Sequence, residues 1–299
     1  MSYQNIKISV IIPVFNGAKT IEECVLSVVN QDYNNYEIII VDNNSTDNTK
    51  SLINSLAGRF SNISYIFESR QGRGAARNAG VMAASGEIIA MTDSDCIVPN
   101  NWLSLLIKPI IENKSEVVSG FERDATSNYW SSCRQHDDWR FIQTKIKDGF
   151  TTHLDTKNFA IRADILKRLK FNSELIACED WDLLIRLRLE GFKVYFLPNL
   201  LVAHYHDSSA KALINTQLAQ GKSATFIINS YLNNPKFIEV FGRDESLNFF
   251  KLRNFILFIP WACWQFLYRP ILAPYRVLSD LAWKIGVINA ELIRVFKRK

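Results

Sequence analysis

Four apolar runs of strand length alternate with segments of helical periodicity in the first third of the chain. The runs lie at residues 6–14, 36–41, 63–67 and 87–91, and the helical segments at residues 20–30, 46–56 and 74–84. Strands buried on both faces are nearly continuous in Val and Ile, as the second run, EIIIVD, is. The alternation therefore predicts an α/β fold with a mostly parallel sheet flanked by helices.

The pattern changes twice further along the chain. A polar stretch at residues 122–152 carries no assignable pattern, and beyond it a helix around Trp181 precedes strand-like runs at 193–197 and 200–204. From residue 249 the composition becomes aromatic and apolar, and the chain ends in VFKRK. We therefore expect an α/β domain over residues 1–240 and a helical, aromatic-rich and basic C-terminal extension over residues 241–299. The boundary between them is expected near residues 230–245.

Composition excludes several classes of protein. A hydrophobic fraction of 47% and a charged fraction of 22% are typical of a soluble globular chain. The net charge of +5 forms no basic stripe with interleaved aromatic residues, which disfavours nucleic acid as a partner. The five cysteines form no CxxC pair and the N-terminal apolar run is too short for a signal peptide. We expect a cytoplasmic location, peripheral at the inner face of the cell membrane.

Polar residues follow the end of each of the first four predicted strands. They are Asn16 and Gly17, then residues 42–47, then residues 70–77, and finally residues 93–95. Ligands on open parallel sheets bind where the carboxyl ends of the strands meet. The sequence therefore predicts a binding site at this edge of the sheet.

Asp93, Ser94 and Asp95 follow the fourth strand directly. Two carboxylates at this spacing suit Mg²⁺ or Mn²⁺, which bind one or two protein carboxylates together with diphosphate oxygens and water. The alternative is an ordinary turn that leads into a helix near Asn101, because Asp and Ser commonly end strands.

The loops after the second and third strands also have two interpretations. Asp42 at a strand end is placed to accept a hydrogen bond from a base or a ribose, although Asn, Ser and Asp in this loop also favour turns and helix caps. The segment from Arg70 to Gly80 resembles a phosphate loop, but Arg77 stands where the dinucleotide fingerprint needs its third glycine. Arginines beside small residues favour a diphosphate, and the alternative is a helix start with solvated arginines.

Two later segments carry candidate chemistry. Glu179, Asp180 and Asp182 open a predicted helix, where acids are favoured by the helix dipole and where one carboxylate is placed to act as a general base. His204 and His206 share one face of a predicted strand. Imidazole is a common ligand of transition metals, and the alternative is a purely structural histidine.

Together these segments resemble family 2 of the glycosyltransferases, which has the GT-A fold. The resemblance covers roughly residues 7–210 and rests on SVIIPVFNGAKTIEECVLSVVNQDY, EIIIVDNNSTDNT, GRGAARNAGVMAASGEIIAMTDSD, TKNFAIRADIL and CEDWDLLIRLRLEGFKV. One departure is Phe15, which stands where many members have Tyr.

The resemblance implies a role for each matching residue. Asp42 and Arg70 are expected to contact the nucleoside, while Asp93 and Asp95 bind ribose and the metal-diphosphate. Asp180 is expected to be the catalytic base. His204 is favoured over His206 as a further metal ligand because Ser208 follows at the usual offset. The remaining residues expected at the substrate are Pro13, Phe15, Asn16, Asn44, Gly72, Arg77, Asn78, Ser94, Asn158, Glu179 and Trp181.

By the same resemblance the activity is that of an inverting, metal-dependent hexosyltransferase in polysaccharide or glycolipid biosynthesis. The donor is expected to be a nucleotide diphosphate sugar, with uridine the common base, the acceptor a glycan or lipid-linked hydroxyl, and the metal Mn²⁺ or Mg²⁺. A sugar-nucleotide nucleotidyltransferase is the alternative enzyme, but it needs a Gly-rich basic loop where this chain has FNGAKT. An inactive nucleotide-sugar-binding scaffold would not need Asp93, Asp95 and Asp180 together.

The C-terminal extension favours a membrane surface over a membrane span. The apolar run at residues 255–267 is 13 residues long, whereas a spanning helix needs about 20. Aromatic and basic residues suit the headgroup region of an anionic bilayer; here they are Trp261, Trp264, Tyr268, Tyr275, Arg269, Arg276, Lys284, Arg294, Lys297, Arg298 and Lys299. The alternative is a helix that packs on the catalytic domain or on a second subunit of a homo-oligomer.

Overall fold

The computed structural model describes residues 5–205, 209–241 and 257–297, with side chains described up to Arg294. The chain divides into two compact units. The first comprises residues 1–126, 139–175 and 179–206, and the second residues 127–138, 176–178 and 207–299. His206 and Ser208, which entered the prediction of the metal ligand, lie outside the described residues.

The first unit holds the sheet and its flanking helices, with α5 beginning in the second unit. The elements in chain order are β1 (Ile8–Val14), α1 (Ile21–Val29), β2 (Tyr36–Asp42), α2 (Thr49–Arg59), β3 (Ile63–Phe67), α3 (Arg73–Ala83), β4 (Ile88–Met91), β5 (Cys96–Ile97), α4 (Trp102–Ile111), β6 (Val117–Asp124), α5 (Tyr129–Gln143), β7 (Ile146–Lys147), β8 (Phe150–Thr151), β9 (Phe159–Arg162), α6 (Ala163–Leu169), α7 (Glu179–Leu189) and β10 (Val194–His204).

The strands form one sheet in the order β3-β2-β1-β4-β9-β6-β10-β8-β7, with β5 paired to β10. Strands β1 to β4, β6 and β10 run in one direction, and β9 lies antiparallel between β4 and β6. The prediction of an α/β fold with a mostly parallel sheet is confirmed. The common direction brings the carboxyl ends of six strands to the same edge.

The first strand is buried on both faces, as its composition predicts. Val10 and Ile12 belong to one core cluster and Ile11 to the other, because successive side chains of a strand point to opposite faces. The same alternation divides Ile40 from Val41 in β2. Both strands are therefore held rigidly up to the point where their polar loops begin.

Two regions differ from the sequence prediction. The runs at 193–197 and 200–204 form the single strand β10, whose pairing with β6 shifts register between Leu197 and Leu201. The stretch at 122–152, where no pattern is assignable, contains α5 and the short hairpin of β7 and β8. A helix of mixed polarity and two-residue strands leave too little periodicity to read.

The second unit is helical, with α8 (Ala210–Tyr231), α9 (Pro235–Phe241), α10 (Phe258–Tyr268) and α11 (Ala273–Lys297). Helices α8 and α11 approach closely: a Cβ on Gly221 would lie 2.2 Å from the Trp283 carbonyl oxygen. Because α8 groups with the C-terminal helices, the units divide ahead of residue 240. The predicted domain boundary near residues 230–245 stays a prediction. Residues 242–256 lie outside the described part of the chain. None of the described helices is both long and apolar enough to cross a membrane.

Candidate functional site

Three of the predicted acids and His204 lie at the edge of the sheet where the carboxyl ends of the strands meet. Asp42 is the last residue of β2, Asp93 and Asp95 follow β4, and His204 is the last residue of β10. Residues Cys96 and His204 are direct partners between β5 and β10, and the Tyr205 amide donates to the Asp95 carbonyl oxygen at 2.9 Å. The sheet itself thus brings the segment after β4 beside the end of β10.

Four charged side chains form the group that we call the Asp95 cluster: Asp95, His204, Glu122 and Lys157. His204 Nε2 lies 3.3 Å from Asp95 Oδ2, and its Nδ1 lies 2.8 Å from Glu122 Oε2. Burial lowers the pKa of His204, but hydrogen bonds to Asp95 and Glu122 outweigh it and raise the pKa to about 9. Lys157 Nζ lies 3.1 Å from Glu122 and 3.0 Å from Asp155. The imidazole is therefore fixed from both sides.

The donor atoms of this cluster fit a divalent metal. Single donor atoms of Asp95, Cys96 and His204 all lie within 4.8 Å of one another. Carboxylate and imidazole suit Mn²⁺, and the contact of Nδ1 with Glu122 leaves Nε2 as the ligand atom. Cys96 belongs to the hydrophobic core, where burial raises the pKa of its thiol well above the usual value. Asp95 and His204 are therefore the fitting ligands.

A second group, the Arg77 cluster, consists of Arg77, Asp93 and Glu179. Arg77 is buried, donates to Asp93 Oδ1 at 3.0 Å, forms a short ion pair with Glu179, and lies over the Phe171 ring at 5.7 Å. Both carboxylates raise the pKa of Arg77 against the effect of burial. The prediction placed Arg77 on the phosphate. In the structure its guanidinium fork matches two carboxylates, and its contact with a phosphate stays a prediction.

Asp180 differs from its acidic neighbours at the start of α7. Glu179 is paired with Arg77, and Asp182 with Arg186 at 2.8 Å. Asp180 Oδ1 accepts the Trp181 amide at 2.7 Å, and no ion pair joins Asp180 to another of the described residues. Burial, followed by the negative charges of Glu179 and Asp155, raises the pKa of Asp180 to about 7. This carboxylate is thus poised to take up a proton near neutral pH.

The loops after β1 and β2 are bonded to each other. Asn16 Oδ1 accepts the Thr46 amide at 2.8 Å, and the Asn16 amide donates to Ser45 Oγ at 2.9 Å. Asn16 and Asn44 have φ values of 51° and 65°, a left-handed conformation that Asn tolerates. Asp42 is buried, accepts the Ser45 amide at 2.9 Å and the Tyr65 hydroxyl at 3.2 Å. Its carboxylate is held rigidly at the strand end.

The other predicted substrate residues around these loops lie at the same edge. Pro13 is half-buried near the end of β1, and the neighbouring Phe15 is exposed. A Cβ on Gly17 would lie 3.3 Å from Ser94 Oγ, so the first and fourth loops touch. Trp181 packs partly buried against the core of the first unit.

The loop after β3 is anchored to the β2 loop. Gly72 has a φ of 136°, which favours glycine, and its amide donates to Asn43 Oδ1 at 2.8 Å. Arg70 is half-exposed and bonds Glu174 at 2.5 Å. Its guanidinium is therefore accessible, as a nucleoside contact requires, but is shared with a neighbouring acid.

Two predicted substrate residues are used inside the fold. Asn78 bonds both backbone groups of Phe171 at 2.8 Å. Asn158 is fully buried and accepts from Trp102 Nε1 at 2.9 Å while donating to the Leu200 carbonyl oxygen at 2.7 Å. The bonding groups of both amides are thus used by the protein itself, and their contact with the substrate stays a prediction.

Glu122, Lys157 and Asp155 were missed by the sequence interpretation. Glu122 follows the apolar run of β6, and the next two residues of that strand are also charged. The available signal was an acid at the carboxyl end of a buried strand, as for Asp42. This signal was weak because Glu122 is also the first residue of the stretch at 122–152, where the sequence has no assignable periodicity.

The chain is similar in sequence to known glycosyltransferases. The family model described as "Glycosyl transferase family 2" matches residues 9–170. Glycosyltransferase AglE of Haloferax volcanii is 29% identical over 201 residues, 66% of each chain. The GalNAc(5)-diNAcBac-PP-undecaprenol beta-1,3-glucosyltransferase of Campylobacter jejuni is 35% identical over 176 residues, 58% of this chain and 57% of that one. The chain thus spans under two thirds of the length of these curated relatives.

A solved structure gives the same fold. The mannosyltransferase PcManGT from Pyrobaculum calidifontis, in complex with GDP-Man and Mn²⁺, superimposes with a TM-score of 0.70 at 18% identity. The match covers 94% of this chain and 86% of that one. The likeness confirms the predicted GT-A fold.

Proposed function

The chain belongs to glycosyl transferase family 2, and from that premise we propose that it is an inverting glycosyltransferase acting on a nucleotide diphosphate sugar. The observation that carries this proposal is Asp180, whose pKa is raised to about 7 at the strand-end edge while Glu179 and Asp182 are held in ion pairs. A general base works best when its pKa lies near the working pH.

Asp180 accepts the proton of the acceptor hydroxyl as that oxygen attacks the anomeric carbon. The new bond forms on the face opposite the departing diphosphate, so the configuration inverts without a covalent sugar-enzyme intermediate. The buried pairing of Glu179 with Arg77 keeps a second negative charge beside Asp180. Burial, followed by this charge, raises the Asp180 pKa to about 7, which suits proton transfer at neutral pH.

Asp95 and His204 would hold the divalent metal. Asp93, the other acid of this segment, is ion-paired with Arg77. A bound divalent cation supplies positive charge that stabilises a leaving diphosphate. Glu122 keeps His204 in one orientation through the 2.8 Å contact at Nδ1, and Nε2 would bind the metal in place of its proton. Lys157 lies 3.1 Å from Glu122, so this buried acid has a partner of opposite charge.

The nucleoside is expected to lie over the loops after β2 and β3. Asp42 offers a fixed carboxylate to a base or ribose, and Asn16 and Asn44 shape the turns beside it. Arg70 would exchange Glu174 for the donor, because that exposed pair is only weakly stabilising. Uridine is the base expected from the resemblance.

The acceptor is proposed to be a hydroxyl of a glycan or of a lipid-linked glycan, in polysaccharide or glycolipid biosynthesis. The support is the Campylobacter jejuni relative, which is a glucosyltransferase acting on an undecaprenol-linked glycan. That relative shares only part of its length with this chain.

A donor screen tests the proposed function. The purified chain is incubated with a panel of UDP-, GDP- and dTDP-sugars, with Mn²⁺ or with excess EDTA, and release of the nucleoside diphosphate is measured. We expect release from one donor class that requires the metal and is lost in Asp95→Asn with little change in melting temperature. Full activity in EDTA, or no turnover of any donor with acceptors present, contradicts the proposal.

A further inference from the structure

The C-terminal helices carry more than half of the exposed large hydrophobic residues in the described chain. Of the 21 large hydrophobic residues that are exposed in the described parts, 12 lie between Leu257 and Ile293. Helix α10 has the reverse of the usual burial pattern. Ile259, Leu267 and Tyr268 are exposed to solvent, while its one buried residue is the polar Gln265. Gln265 accepts from Arg276 at 3.2 Å. Such a helix places its apolar surface outward.

Helix α11 carries a second exposed apolar stripe. The stripe consists of Leu281, Ile285, Ile288, Leu292 and Ile293, each at least 41% exposed. The opposite face is buried, with Ala282 and Val287 in the interior and Gly286 against the Leu218 backbone of α8. The helix therefore has two apolar faces, of which only one is covered by the second unit.

The net charge of the chain is located in this same segment. Residues 257–299 contain seven Lys and Arg against two Asp and Glu, a net charge of +5. Subtracting these from the totals of 35 and 30 leaves 28 of each in residues 1–256, a net charge of zero. The excess positive charge thus accompanies the exposed apolar surface.

Two of the cations expected from the sequence to meet lipid are used within the second unit. Arg276 Nε donates to Asp137 at 2.8 Å, and Lys284 pairs with Asp280 and lies over the Phe258 ring at 4.7 Å. Tyr275, predicted at the headgroups, is buried. Arg269 is half-buried beside the Trp264 ring at 5.6 Å. Arg294 is exposed, and it bonds Asn229 Oδ1 at 2.9 Å and Glu291 at 3.4 Å.

We propose that α10 and the exposed stripe of α11 form a docking surface for an anionic membrane. Helix α10, at 11 residues, is too short to span a bilayer. An apolar face with aromatic residues and neighbouring Lys and Arg inserts to headgroup depth, and the cations meet anionic lipid. A second copy of the chain is disfavoured because self-association would bring the two positively charged segments together.

Vesicle flotation tests this proposal without any nucleotide sugar, so its outcome is separate from that of the transfer reaction. The full chain is mixed with vesicles of phosphatidylcholine containing phosphatidylglycerol, or of phosphatidylcholine alone, at low and at high salt. The test variant is Ile285→Glu with Ile288→Glu. The matched control is Met82→Glu with Leu105→Glu, which adds the same charge at two exposed apolar residues of α3 and α4.

We expect the native chain and the control to float with anionic vesicles at low salt, and to float less at high salt or with neutral vesicles. The stripe variant should have a partition coefficient lower by roughly tenfold or more, because each Ile contributes apolar burial. Circular dichroism checks that the variants are folded. Failure of the native chain to float, or equal flotation of the stripe variant, overturns the proposal. The proposal is also overturned if light scattering shows that the native chain is a dimer and the stripe variant a monomer, while both float equally.

Discussion

The strand-end site and the C-terminal helices break the usual rule of burial in opposite ways. At the sheet edge, charged groups such as Arg77, Glu179 and Glu122 are buried, and each has a partner of opposite charge. In α10, apolar side chains are exposed and the polar Gln265 is inside. Buried charge fixes side chains in one geometry, whereas exposed apolar surface requires a partner. The two regions therefore point to chemistry in one and to attachment in the other.

The largest effect is expected at Asp180, which has no ionic partner among the described residues. Asp180→Asn removes the proton acceptor, and the rate of sugar transfer should fall by about 10²- to 10⁴-fold. Binding of the donor nucleotide, measured by calorimetry, should be retained.

The matched control for this change is Asp164→Asn. Asp164 is an exposed acid in the first turn of α6, so the control makes the same chemical change at another helix start. A near-normal rate in Asp180→Asn would assign the base to another residue, with Glu179 or Asp182 next.

The next effect concerns the stability that buried charge confers. Arg77→Ala leaves Asp93 and Glu179 without their shared cation, and the free energy of unfolding should fall by about 3–5 kcal/mol. Denaturant unfolding measures the loss. The exposed Arg73→Ala should change it by less than about 0.5 kcal/mol. Equal effects of the two changes would show that the buried cluster does not hold the site together.

A smaller effect is expected one contact away from the metal ligands. Glu122→Gln should raise the dissociation constant of Mn²⁺ by about 10- to 100-fold, because His204 loses the carboxylate at Nδ1. Calorimetry of the protein with Mn²⁺ alone measures this constant. Glu116→Gln, an exposed acid beside the start of β6, is the charge-matched control. Unchanged affinity in Glu122→Gln would leave Glu122 with a role in folding only.

The smallest effect is graded with pH. Because Asp180 has a pKa of about 7 and acts when ionised, kcat/KM should rise with pH up to that value and then level off. Below it the rate should fall about tenfold per unit, since protonation removes the base. Asp155→Asn removes a charge that raises this pKa, so the midpoint should move to lower pH. A profile flat between pH 5 and 8 contradicts this assignment.

The fold and the acids at the ends of β2 and β4 were predictable because the sequence patterns that indicate them are local. Strand β2 is a continuous apolar run that ends in Asp42, and the Asp93 to Asp95 segment directly follows β4. The Asp95 cluster was only partly predictable. Glu122 and Lys157 lie 35 positions apart in the sequence, with the unassigned stretch between them, and meet only in the folded chain. Short-range periodicity contains no information on such a contact.

The C-terminal helices show a different limit of the sequence. Aromatic and basic residues there indicated a membrane surface, but not which side of each helix is covered. Because α11 is apolar on two faces, the sequence alone does not show that Val287 packs inward while Ile288 faces outward. The packing of α11 on α8, at Gly286 and at Gly221, decides between the faces.

The most direct test of the central claim is the configuration of the first product. With the donor found by the screen, the glycosidic linkage formed by the native chain is determined by proton NMR before any anomeric exchange. A single attack assisted by Asp180 predicts inversion, so an α-linked donor sugar gives a β-linked product. Retention of the donor configuration would require a different mechanism and would contradict the role assigned to Asp180.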